Sequence, residues 1–212
     1  MSGLTDTGQA LVVSLDENGN PTRYLYKNGQ VTPVTFSVPS AFGVRINNYK
    51  LMSGSTYISG LGYRGFRYDV LTGTTTLLDP LSTEPSSWAT GINNHGEVVG
   101  YSFVSNALER IGIWDRFNKF HTYFVEGTPD YPEVSNNLLF NDNNLIVITY
   151  LLAPIFFHTS YLVPKPGVRL DLADLVENLP TGFHISLINA INNRGDMVGG
   201  NYLLARVCPR HQ

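Results

Sequence analysis

The chain has one cysteine, Cys208, in 212 residues, so an internal disulfide framework is excluded and a cysteine-rich zinc module cannot be built. Charge is also scarce. Only 15% of residues are Asp, Glu, Lys or Arg, and the 14 basic residues are spread thinly against a formal net charge of −3. Without a basic stripe there is no electrostatic footprint for nucleic acid, and no nucleic-acid partner is expected. Long apolar runs are missing as well. The longest, Leu145 to Phe157, is interrupted by Thr149 and Pro154, so no membrane-inserting helix is expected. The first residues, Met1 to Asp6, lack the basic and apolar regions of a signal peptide.

What is abundant is turn chemistry and aromatic content: 20 Gly, 12 Pro, 12 Tyr and 11 Phe. That mixture describes a turn-rich β protein rather than a disordered chain. One pentapeptide recurs at positions 4, 46, 92, 140 and 191. The copies read Leu4-Thr5-Asp6-Thr7-Gly8, Ile46-Asn47-Asn48-Tyr49-Lys50, Ile92-Asn93-Asn94-His95-Gly96, Phe140-Asn141-Asp142-Asn143-Asn144 and Ile191-Asn192-Asn193-Arg194-Gly195. An apolar residue ends a strand, a polar residue opens the turn, and the fifth position requires a left-handed backbone. Gly adopts that conformation freely and Asn tolerates it. Lys50 fits neither description, so its turn is expected to be altered or strained.

Each copy is followed by a second apolar run, and the first four by a further hairpin. Arg23–Lys27 and Gln30–Val34 flank Asn28-Gly29; Gly65–Val70 and Thr74–Leu78 flank Thr72-Gly73. Arg110–Asp115 and Lys119–Phe124 flank Phe117-Asn118; Ser160–Val163 and Val168–Leu172 flank Pro164–Gly167. Four short strands in each unit of about 45 residues is the signature of a propeller blade. The expected fold is therefore all-β: a β-propeller of about five four-stranded antiparallel blades. Its terminal blade is incomplete or shared between the termini, unless the chain is part of a longer array. One domain, 1–212, would hold units at approximately 1–43, 44–89, 90–137, 138–188 and 189–212. Only Asp171–Leu179 has helical spacing, with apolar residues at 172, 175, 176 and 179.

The repeats resemble the HAF-type repeat family, which is known mostly from bacterial proteins, many of them exported. Its unit carries an Ile-Asn-(Asn/Asp)-x-Gly-x-Val-Val-Gly core, then an aromatic-rich strand ending near Trp. The match is closest at Ile92–Tyr101 with Ile111-Gly112-Ile113-Trp114, and at Ile191–Gly199. Gly65-Phe66 and Arg110-Ile111-Gly112 stand near the place of the family's His-Ala-Phe triplet. The resemblance implies four-stranded blades and an exported location. It implies no defined activity, since the recurring residues are structural.

No assembled catalytic or metal site is spelled out, and no cofactor is expected. His95 occupies the variable turn position and reads as solvent-facing; His121 falls on an outer strand. Ser53-Gly54-Ser55 lies where the repeat places a strand, and no Gly-x-Ser-x-Gly elbow occurs. Asn141–Asn144 begins like a calcium loop but lacks its Gly and twelfth-position Glu. Gly60-Leu61-Gly62-Tyr63-Arg64-Gly65 spells a dinucleotide motif but precedes a hairpin rather than a helix. The acids Asp16, Glu17, Glu126, Asp130, Glu133, Asp171, Asp174 and Glu177 lie in or near loops, where turn formation is their ordinary role.

The remaining candidate is the loop face, formed by the inter-blade connectors and the loops joining second and third strands. It holds Tyr57, Tyr63, Trp88, Tyr131 and Phe183, with His158 and His184 in nearby loops. Aromatics suit glycan and protein contact, and equally suit packing between blades. The expected function is a non-catalytic binding module for a protein or glycan. A carboxylate-based hydrolase at the channel mouth and a purely structural piece of a larger array are the alternatives.

Overall fold

The computed structural model describes residues 3–19, 21–103, 109–126, 137–152, 157–181, 185, 187–200 and 202–205. They form five small antiparallel sheets of β-propeller architecture and almost no helix. The chain divides into two compact units, Met1–Glu126 and Gly127–Gln212.

Three blades make up the first unit, each with its strands in sequence order. The first contains β1 (Gly3–Leu4), β2 (Ala10–Leu15), β3 (Pro21–Lys27) and β4 (Gln30–Val34). The second contains β5 (Phe42–Ile46), β6 (Leu51–Ile58), β7 (Gly62–Asp69) and β8 (Thr74–Leu78). The third contains β9 (Ser86–Ile92), β10 (Val98–Phe103), β11 (Glu109–Trp114) and β12 (Phe120–Glu126). The second unit holds a four-stranded blade and a three-stranded one. The former has β13 (Asn137–Phe140), β14 (Ile146–Leu152), β15 (Phe157–Lys165) and β16 (Val168–Asp171). The latter has β17 (Ile188–Ile191), β18 (Met197–Gly199) and β19 (Tyr202–Leu204).

The second strands of the second and third blades, β6 and β10, are buried on both faces along most of their length. In the first unit Leu11, Leu25, Val44, Met52 and Phe66 pack between the first two blades, and Phe36 closes the layer 4.9 Å from the Tyr68 ring. Leu78, Ala89, Val98 and Trp114 fill the next layer. Trp114 is fully buried and its Nε1 donates to the Asp79 carbonyl at 2.8 Å, tying the third blade to the connector that enters it. In the second unit Val147, Leu172, Ile185, Ile188 and Met197 make the corresponding core.

The recurrent turn joins first and second strands in every blade. In four copies the opening Asn uses its Oδ1 to accept from the backbone two and four residues on; for Asn93 the donors are His95 N at 3.0 Å and Glu97 N at 2.9 Å. Thr5 substitutes with its hydroxyl, which accepts from Gln9 N. The second polar position reaches the following blade. Asp6 N donates to Asn48 Oδ1 at 2.7 Å, Asn48 N to Asn94 Oδ1 at 2.9 Å, and in the second unit Asp142 N to Asn193 Oδ1 at 2.9 Å. The repeat is thus both a local turn and a joint between neighbouring sheets.

Lys50 sits at φ 64°, beside Asn144 at 58° and Gly96 at 78° in equivalent turns. Its turn keeps the shared hydrogen bonds, so the conformation is preserved against the side chain's preference. The last Gly of the closest repeat copy, Gly100, is required for a different reason. A Cβ there would strike the Trp88 carbonyl oxygen, because β9 bulges towards β10 between the partners of Val99 and Gly100.

The helical spacing of 171–179 yields only a single 3-10 turn, Ala173–Leu175. Val176 is already extended and Asn178 has φ 59°, while Leu172, Val176 and Leu179 pack against the second unit's core. Packing, not helix periodicity, accounts for those apolar positions.

Candidate binding surface

In the first unit the recurrent turns close one end of each blade. The opposite end carries the loops joining second and third strands together with the connectors. Three residues nominated from sequence meet there. Tyr57 is the last residue but one of β6 and Tyr63 the second of β7, and the two are direct register partners with ring centroids 5.3 Å apart. Trp88 enters from β9 of the next blade, 5.2 Å from Tyr63. Phe42, at the start of β5, completes the group at 4.9 Å from Trp88 and 6.2 Å from Tyr63.

These spacings are those of rings in direct contact. No slot for a guest remains between them, so a ligand would lie on the outer faces and edges. Tyr57 is 54% and Tyr63 39% exposed, while Phe42 and Trp88 are half-buried beneath them. Leu61, at the tip of the turn joining the two tyrosine strands, is exposed beside them.

The platform is fixed by the connector between the second and third blades. Arg64 Nη1 donates to the carbonyls of Tyr63 at 2.8 Å and Pro85 at 2.5 Å. Leu81 N donates to Ser102 Oγ at 2.8 Å. Glu84, whose side chain is 1% exposed, forms an ion pair with Arg110 of β11. Two arginines on neighbouring blades therefore hold adjacent residues of one short connector.

Phe42 was not singled out from the sequence, although a signal existed. Phe42 and Trp88 each stand five residues before the first Asn of a repeat copy, Asn47 and Asn93. Aligning the units on that Asn marks both as the same blade position. Arg64 carries the same kind of signal: it and Arg110 each stand seventeen residues after that Asn, so the two arginines occupy one blade position.

Tyr131, Phe183 and His184 lie outside the described residues. His158 stands on β15 in the second unit with Leu151 as its register partner. Of the acids, Asp16 Oδ1 accepts from Asn18 N at 2.9 Å and Asp171 Oδ1 from Ala173 N at 2.8 Å, so both form turns. Glu17, Asp174 and Glu177 are exposed; Asp130 and Glu133 lie outside the described residues. Ser53 and Ser55 are buried in β6, where Ser55 Oγ accepts from Ala89 N at 2.9 Å. Asn141–Asn144 is the recurrent turn, with Asp142 Oδ2 accepting from Asn193 Nδ2 at 2.6 Å. Residues 60–65 form the hairpin bend of β6 and β7 and the start of β7.

His95 is exposed, as its turn position implies. His121 is on β12, with Nε2 2.9 Å from Asp115 Oδ2. The bond from His121, with backbone donors Lys119 and Phe117, holds the Asp115 carboxyl below its ordinary value. Among the described residues no group of three His, Cys, Asp or Glu side chains is placed to hold a metal, and no helix is long and apolar enough to cross a membrane.

No family model matches the chain, and no curated protein sequence matches it. Solved structures do. TolB from Acinetobacter baumannii aligns with a TM-score of 0.57 at 17% identity, over 79% of this chain and 41% of TolB. A putative gluconolactonase aligns with a TM-score of 0.50 at 9% identity, over 88% of this chain and 66% of that one. The chain therefore spans less than two thirds of either, and at these identities the shared property is the fold.

Proposed function

We propose that the chain is a non-catalytic binding module whose loop face engages a protein or glycan, with Phe42, Tyr57, Tyr63 and Trp88 as its contact platform. Membership of the HAF-type repeat family, and a single domain made of all five blades, are parts of this proposal. The observation that carries it is the convergence of four rings from three different stretches of chain onto one exposed end of the first unit. Core packing alone would hide such a group, yet Tyr57 and Tyr63 remain open to solvent. Exposed aromatics supported by a rigid backbone supply contact area at little entropic cost. Of the nominated acids, Asp16 and Asp171 favour the same reading over a hydrolase, since both are engaged in turns.

The test is a glycan array and a pull-down against defined proteins, run in parallel with the wild type and a Tyr57→Ala/Tyr63→Ala variant. A retained ligand whose affinity drops tenfold or more in the variant supports the proposal. A ligand retained equally by both, or substrate turnover untouched by the change, overturns it.

A further inference from the structure

We infer that the platform's ligand is a carboxylated sugar, a pyranose ring bearing an acid group, held by stacking on the exposed ring of Tyr63 and by pairing with Arg64. This deepens the reading above and rests on it.

Ring geometry comes first. Protein anchors are single side chains that insert into pockets. Here neighbouring rings touch at 4.9–6.2 Å with their planes 49–82° apart, so ring faces, edges and phenol hydroxyls are presented together and no gap between the rings is left for an inserted side chain. A surface of that kind matches the flat C–H face of a pyranose, whose rim hydroxyls can meet tyrosine oxygens.

Charge comes second. Arg64 is half-buried next to Tyr63, and Nη1 is spent on the carbonyls of Tyr63 and Pro85. Those bonds fix the guanidinium without neutralising it. No carboxylate among the described residues pairs with it, and the acid of the adjoining connector, Glu84, belongs to Arg110. A positioned guanidinium with Nε and Nη2 remaining for a ligand is suited to the two oxygens of a carboxylate, which it meets as a planar fork. An uncharged sugar would leave that charge unanswered, whereas an acidic one completes it.

The experiment is an array of uronate- and sialate-bearing oligosaccharides, each printed beside its methyl ester, probed with four proteins: wild type, Arg64→Gln, Arg64→Lys and Tyr63→Ala. Melting temperatures report whether each variant is folded. Expected are wild-type retention of at least one acid at tenfold or more over its ester, and weakening of that preference by salt. Arg64→Gln should bring the acid down to the ester's level, Arg64→Lys should restore part of the difference, and Tyr63→Ala should lose the acid. Equal binding of acid and ester, no acidic sugar retained, or an acid preference that survives Arg64→Gln overturns the inference. Retention of a neutral glycan or a protein that is lost with Tyr63→Ala overturns the sugar's acidity while leaving the platform intact. Finding no ligand whose retention depends on Tyr63 overturns both.

Discussion

Asn47 donates through Nδ2 to the main-chain carbonyl of Asn93 at 2.8 Å, joining equivalent turns of neighbouring blades that lie 46 residues apart in the chain. Asn141 makes the same bond to Asn192, at 2.9 Å, in the second unit. One side chain therefore performs two tasks: Oδ1 closes its own turn and Nδ2 fastens the next blade. Asn is suited to this because its planar amide offers an acceptor on one arm and a donor on the other.

Replacing Asn47 by Asp separates the two tasks. The isosteric change keeps Oδ1 for Tyr49 N and Leu51 N but points a second acceptor at the Asn93 carbonyl. Because Asn47 is only 4% exposed, a loss of about 2 kcal/mol is expected, the usual cost of leaving buried partners unsatisfied. Asn47→Ala, which removes both sets of bonds, should cost more. Urea unfolding of the two variants measures the order; an unchanged Asn47→Asp midpoint would show that the inter-blade bond is dispensable.

Most of this architecture was legible because it is local and recurs. Strand, turn and left-handed fifth position all lie within a few residues, so five imperfect copies reinforce one another. Phe42 belonged to the same register as Trp88 but is separated from it by one whole blade, and composition alone gave no reason to compare them. The Arg110–Glu84 and Arg64–Pro85 contacts depend on how a connector crosses a neighbouring sheet, which no short-range pattern encodes. The apolar residues of 171–179 misled for the converse reason: helical spacing was present, but the positions serve packing on Val147 and Ile188.

Lys50 offers a way to stabilise the protein. At φ 64° a non-Gly residue carries roughly 1 kcal/mol of strain, partly offset in a Gly variant by the added freedom of the unfolded chain. Lys50→Gly should therefore raise stability by up to about 1 kcal/mol. The reverse experiment, Gly96→Ala at φ 78°, should lower it by about 1–2 kcal/mol. Thermal melts of the pair check both signs.

Asp115 should contribute an acid-sensitive increment. The hydrogen bond from His121 is the main cause lowering its carboxyl, helped by the backbone amides of Lys119 and Phe117. A carboxylate depressed on folding adds stability above its unfolded value, and loses it as pH falls through the lower folded value. The carboxyl is only partly buried and still meets solvent, so the increment is small. Asp115→Asn should flatten the acid limb of the stability profile without changing the melting temperature's slope above pH 5; an identical acid limb in both proteins would remove Asp115 from the account.

The ion pair between Glu84 and Arg110 gives the sharpest contrast between breaking a pair and replacing it. Arg110→Ala strands a carboxylate that is 1% exposed, and a loss of about 3–5 kcal/mol is expected. Substituting both residues with apolar groups of similar volume, Glu84→Leu/Arg110→Met, should recover much of that loss, since neither charge then needs compensation. The same connector leads directly into β9, the strand that carries Trp88, so Arg110→Ala should also shift the Trp88 emission and weaken whatever binds the tyrosine platform, while the double variant restores both. Recovery of stability without recovery of binding would mean that the pair sets the connector's position and not merely its stability.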